Sequence, residues 1–252
     1  MRRHLEALVF AAFFAAGAGA AGAADIRVLS AGAAKAAVVP LVEAFARTTG
    51  HNVDIEFGTM GLIQEKLGRG EEADVLILSA EVADALEKNG KFAPGSRRAL
   101  AKVGVGVAVG ENAPSPDISS TAAFRKTLLE AKSIVMIDPA RGTSGKHLVE
   151  VFQRLGLTDA LKPKLRYGSG GYIVEPVGRG DVQLGLHQIS EILPVKGVRL
   201  VGPLPADLQK WTLYVGAAMP SGNVASARAL LDYLSGFQSK ATWLDKGFVL
   251  AD

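Results

Sequence analysis

No cysteine occurs among the 252 residues. Disulfides within the chain, thiolate metal ligands and cysteine nucleophiles are thereby excluded. Histidine is scarce, with four in the chain, and none stands at the i, i+4 spacing of a helical metal pair. His147 and His187 read instead as a helix-surface residue and a turn residue, so no metal site is expected. Aromatic residues make up 6%, and the net charge is only +3 with its basic residues scattered. A nucleic-acid surface needs a basic patch interleaved with stacking rings, and none is expected here. The Gly168–Gly171 run lacks the strand, GxGxxG and helix order of a dinucleotide site. Ser144 and Lys146 stand two apart in a predicted helix and point to different faces. No catalytic set and no cofactor are therefore expected, and binding comes before chemistry.

Past the N-terminus, no apolar run is long enough to cross a bilayer. The N-terminus itself carries Arg2 and Arg3, an apolar stretch over 8–18, and Ala-Gly repeats up to Ala24. This is the order of a secretory signal with a small-residue cleavage site. Residues 1–24 are read as a signal peptide cleaved near Ala24, which sends the mature chain to the periplasm. An uncleaved anchor is the bland alternative, and the short, Gly-rich apolar run argues against it.

The rest of the chain alternates apolar strands with amphipathic helices. Strands are expected at 26–30, 52–57 and 74–78, with helices at 36–47, 62–67 and 82–88. That order implies a parallel sheet covered by helices. Pro40 is expected to kink the first helix or lie in its first turn. A Gly/Val strand at 103–109, a helix at 122–131 and a strand at 133–137 follow. Ser144 is expected to cap the next helix. Further strands are read at 182–186, 198–201 and 211–218. Asn223 caps a helix with Val224, Ala227, Leu231 and Leu234 on one stripe, and Trp243 falls in a last helix.

Four turns of small residues end strand-like runs: 31–35, 58–61, 141–145 and 168–171. Each is read as preceding a helix. A helix N-terminus carries unpaired N–H groups and partial positive charge, so several facing one cleft make an anion site. Two βα series, joined through 103–109 and returning through 211–218, predict two lobes and a double crossover. Lobe one is expected at 25–104, completed by 213–252, and lobe two at 105–212. In open α/β sheets ligands bind outside the carboxyl ends of the strands, where these turns lie.

On the residues 26–35, 57–79, 138–156, 184–190 and 243–248, the chain resembles the periplasmic molybdate-binding proteins of ABC importers. The resemblance spans essentially the whole mature chain. It implies the type II periplasmic binding protein fold, two α/β lobes joined by a double crossover hinge. The family's hydroxyl ligands fall on Ala33, Met60 and Gln188, and its backbone donors on Ser79 and Gly170. The segments 188–194 and 201–205 resemble a divergent subgroup that also includes aconitate isomerase. There a carboxylate ligand is the expectation, and Lys35, Arg141 and Lys146 are cations able to meet it.

The resulting reading is a solute-binding protein of an ABC importer that holds a small anion between its lobes. The anion is a molybdate-like oxyanion or, preferred, an organic carboxylate. The expected ligand contacts are Gly32, Ala33, Lys35, Thr59, Met60, Gly61, Ser79, Arg141, Thr143, Ser144, Gly170 and Gln188. The partner is the inner-membrane permease, and the protein itself is expected to be a monomer. The alternative is an enzyme of the aconitate-isomerase type acting on a tricarboxylate, with His187, Lys35 or Glu175 as candidate bases.

Overall fold

The computed structural model describes residues 23–251, so the 1–24 signal falls almost wholly outside the described residues. The strands are β1 (Asp25–Ala31), β2 (Asn52–Gly58), β3 (Val75–Ser79), β4 (Arg98–Val103), β5 (Val105–Gly110), β6 (Ile134–Ile137), β7 (Leu165–Gly168), β8 (Leu184–Gln188), β9 (Val198–Pro203), β10 (Thr212–Ala218) and β11 (Val249–Leu250). The helices are α1 (Lys35–Thr49), α2 (Met60–Gly68), α3 (Ala80–Lys88), α4 (Thr121–Glu130), α5 (Thr143–Arg154), α6 (Thr158–Leu161), α7 (Glu175–Gly178), α8 (Ile189–Ile192), α9 (Val224–Ser235) and α10 (Lys240–Asp245). They build two sheets, ordered β11-β4-β10-β3-β1-β2 and β7-β6-β8-β5-β9. β2, β1 and β3 run parallel while β10 returns antiparallel beside β3. β7, β6 and β8 are likewise parallel, with β5 antiparallel beside β8.

α1 follows a short 3-10 turn, Gly32–Ala34. It buries Ala37, Val38, Leu41, Val42 and Phe45, one stripe at helical spacing, against the first sheet. It stops at Gly50, whose φ of 77° favours glycine. Pro40 lies past the first turn, on the exposed side. Trp243 closes this core, fully buried, with its indole N–H donating to the Leu234 carbonyl at 2.9 Å. The second sheet has a core on each face. Phe124, Leu148 and Phe152 cover one, and Val174, Val177 and Ile192 the other.

Four details differ from the sequence reading. The expected strand over 103–109 spans two sheets: Val103 is the last residue of β4, and β5 starts after a break at Gly104. A Cβ at Gly104 would stand 2.8 Å from the Gln209 amide nitrogen and 3.2 Å from the Trp211 ring. That close crossing forces the break. The return crossover, 204–211, supplies Gln209, whose side-chain amide takes both backbone groups of Val105. Nε2 donates to the Val105 carbonyl at 2.7 Å, and Oε1 accepts the Val105 N–H at 3.0 Å. Second, β7 is a half-exposed edge strand with too little apolar pattern to be read. Third, α5 is capped by Gly142, not Ser144, which is its buried second residue. Gly142 is pressed on Ile137, where a Cβ would come within 2.8 Å of a side-chain carbon. Fourth, the turn at 168–171 leads only to the single-turn α7, too short to present a helix dipole.

Candidate functional site

The turns after β1, β2, β6 and β7 converge on one cavity of about 360 Å³. Gly32, Ala33, Lys35, Thr59 and Met60 line it from the first sheet's side; Arg141, Thr143, Ser144, Gly170 and Gln188 line it from the second's. Lys35 is exposed, and its ammonium stands 5.6 Å from the Phe57 ring centre and 5.9 Å from that of Tyr172. One ring comes from each side, so the cation is held at the mouth of the cleft by two cation–π contacts. Thr59 caps α2, its Oγ1 accepting the Leu62 N–H at 3.3 Å. A hydroxyl that accepts for a cap keeps its own proton free for a ligand. Gly170 lies across from Thr59. With φ at 146°, and a Cβ there only 3.0 Å from the Thr59 methyl, the position requires glycine.

Gly61 and Ser79 stand outside this cavity, and the N–H groups expected to face a ligand are taken. Gly61 N–H donates to the Arg141 carbonyl at 3.1 Å, a bond across the cleft. Ser79 N–H meets the Met60 sulfur at 3.4 Å. Ala33 offers no side-chain donor, and its carbonyl accepts the Ser190 hydroxyl at 2.7 Å. The Gln188 amide nitrogen donates to Thr143 Oγ1 at 3.3 Å, and its buried Oε1 has no partner. Gln188 thus presents an acceptor where the resemblance implied a donor. Lys146 lines a separate cavity, and Glu175 is exposed beside another.

The sequence reading missed Glu191 and Tyr214 in the cleft and misplaced His187. Glu191 and His187 form a buried pair, Oε2 to Nε2 at 3.2 Å, both lining the cavity. His187 is not in a turn but within β8, one residue from its end, and Nε2 also lies 3.3 Å from the Gly171 carbonyl. Two acceptors at Nε2 place a proton there. His147, expected on a helix surface, is half-buried and bonds the Leu208 carbonyl at 2.8 Å. Burial lowers its pKa below the usual histidine value, the Leu208 bond opposing in part. Burial first, and then the charge of Glu191, push the Tyr214 phenol well above the usual range, and it shares a hydrogen bond with Thr143. It stays protonated at all physiological pH and ties β10 to α5 across the cleft.

Two α/β lobes around a cleft lined by turns at the carboxyl ends of parallel strands define a type II solute-binding protein. The chain belongs to the bacterial extracellular solute-binding proteins, whose family model matches residues 26–249. It is 34% identical to an aconitate isomerase from Pseudomonas sp. over 228 residues, 88% of this chain and 86% of that one. It is 30% identical to the molybdate-binding protein ModA of Azotobacter vinelandii over 237 residues, 91% and 90% of the two chains. The solved periplasmic molybdate-binding protein of Azotobacter vinelandii superposes with a TM-score of 0.76 at 21% identity, covering 90% of this chain and all of that one.

Proposed function

We propose that the cleft binds a small organic polycarboxylate in the periplasm and delivers it, as a monomer, to an importer permease. Lobe one comprises 25–104 and 213–252, and lobe two 105–212. The cavity itself carries the reading. At about 360 Å³ it falls at the small end of sites for organic ligands. It equals about a dozen water volumes of ~30 Å³ each, so a five-atom oxyanion would leave most of it wet. Lys35 lines the cavity from the first sheet's side and Arg141 from the second's, a cation on each side for a ligand with more than one carboxylate. Phe57, Met60 and Tyr172 supply apolar surface between them. Calorimetric titration with aconitate, citrate, molybdate and sulfate tests this. Tight molybdate binding that organic acids fail to displace would overturn it.

Two substitutions sharpen the test. Lys35→Ala is expected to weaken tricarboxylate binding about tenfold, the size of one charge-assisted contact at a partly solvated mouth. An unchanged affinity would remove Lys35 from recognition. Thr59→Val is expected to cost about 1–2 kcal/mol of binding. It also removes the α2 cap, worth about 1 kcal/mol of stability. Thr59→Ser keeps the hydroxyl and restores both, so titration and a thermal melt of the pair separate the two roles.

A second reading rests on the Glu191–His187 pair. A carboxylate in an anion site opposes binding unless it works on the ligand. Held by the His187 N–H, Glu191 is a candidate base for a proton shift on a tricarboxylate, and the identity to an aconitate isomerase supports the same chemistry. The bases foreseen in the sequence fare less well. Lys35 is engaged by two rings, Glu175 is outside the cleft, and His187 offers its partner a bound proton rather than a free lone pair.

A further inference from the structure

Met60 and Ser79 meet at a corner of the cleft that neither Lys35 nor the Glu191 pair serves. Ser79 ends β3 and is the cap of α3, a helix of nine residues, but its hydroxyl makes no capping bond. That hydroxyl is buried and has no hydrogen-bond partner among the described residues. The Ser79 N–H has only the Met60 thioether as acceptor, at 3.4 Å. Thioether sulfur is a weak acceptor. A buried helix N-terminus thus holds one donor poorly paired and one hydroxyl unpaired, beside the positive end of the helix dipole.

Met60 also divides space. Behind it lies a second cavity of about 280 Å³, whose lining includes Ser79 and Ala80, the cations Lys146 and Lys210, and the carboxylates Glu81 and Glu150. The two cavities share Met60, Arg141, Gly142 and Thr143. On the first lobe's side, Met60 is the whole partition. The neighbouring Gly61 N–H bond to Arg141 seals the seam.

We propose that Met60 is the specificity-determining residue of the cleft: its thioether stands where an anion oxygen would sit at the N-terminus of α3. It confines ligands to the main cavity and excludes compact oxyanions, which depend on dense donors at one corner. The Ser79 hydroxyl and N–H form the anion site that it closes; Lys146 and Lys210 behind are offset by Glu81 and Glu150, so these two donors at the helix start carry it. The inference rests on reading the cleft as an anion site, and tricarboxylate titration of the parent chain tests that reading separately.

The experiment is titration of Met60→Ser, Met60→Ala and Met60→Leu with molybdate and with sulfate. The Ser and Ala variants are expected to gain at least tenfold in affinity for one of the two anions. The Leu variant keeps the bulk without the sulfur and is expected to behave as the parent. A folded Ser or Ala variant with parental oxyanion affinity overturns the proposal, as does an equal gain in the Leu variant. The parent supplies an independent check that needs no variant to fold. With its methionine methyls carrying carbon-13, the Met60 resonance is expected to stay fixed under excess molybdate. Its displacement would show that the corner is open and would overturn the proposal.

Discussion

If the Glu191–His187 pair is catalytic, Glu191→Gln is expected to slow proton exchange and isomerisation of a bound tricarboxylate by about 10²–10⁴-fold, the range of a positioned general base. Its binding affinity should match or exceed the parent's, because a like charge leaves the anion site. The carboxylate would take a proton from the methylene flanked by a carboxylate and a carbon–carbon double bond. The electron pair left behind spreads over the allylic system, and Glu191, its proton open to exchange with solvent, returns one at the far carbon. The double bond moves and nothing else is consumed. The amide variant keeps the shape and an acceptor for the His187 N–H, but lacks the basicity. NMR in D₂O reads the exchange directly, through loss of ligand C–H signal, and titration reads the binding. A parent chain that binds a tricarboxylate without exchanging its protons would sink the enzymatic reading and leave the transport reading standing.

Gly145→Ala is expected to destabilise the fold by about 2–3 kcal/mol, although alanine is the better helix former by about 1 kcal/mol. Gly145 is the third residue of α5 and is buried. A Cβ there would stand 2.5 Å from the Ile137 carbonyl oxygen and 2.9 Å from the Pro139 backbone. These are backbone atoms that cannot swing away, so the clash outweighs the gain in propensity. Relief requires lifting the start of α5 off β6, which also moves Thr143 and Ser144 out of the cavity wall. A denaturant melt and a ligand titration should therefore both worsen. A variant as stable as the parent would mean that the α5–β6 contact yields more readily than the close packing implies.

The architecture was legible because its signals are local. Apolar runs end in small-residue turns, and each of β1, β2 and β6 carries its helix directly after it. The positions of Lys35, Thr59 and Thr143 followed, since a turn after a parallel strand faces the cleft wherever the fold is of this kind; Gln188 followed from the family resemblance alone. What stayed hidden depends on partners distant in sequence. Residues 103–109 are a continuous Gly/Val stretch, and only Gln209 and Trp211 pressing on Gly104 reveal a change of sheet. Ser79 and Gly61 were expected among the ligand contacts, yet they stand outside the main cavity, and alignment could not show that Met60 and the Arg141 carbonyl take up their N–H groups. The Glu191–His187 pairing escaped because His187 lies in a strand while Glu191 lies in a one-turn helix. The helical i, i+4 rule does not apply across such a junction.

The Gln209 amide bears on how the molecule moves. By pairing with both backbone groups of Val105, it splices the outgoing and returning crossovers into one short ribbon. Two independent strings between two bodies would let them twist, slide and tilt separately. A spliced ribbon leaves one axis. Opening of the lobes is then a single-coordinate swing, in which spin labels placed anywhere across the mouth report distances that rise and fall in fixed proportion.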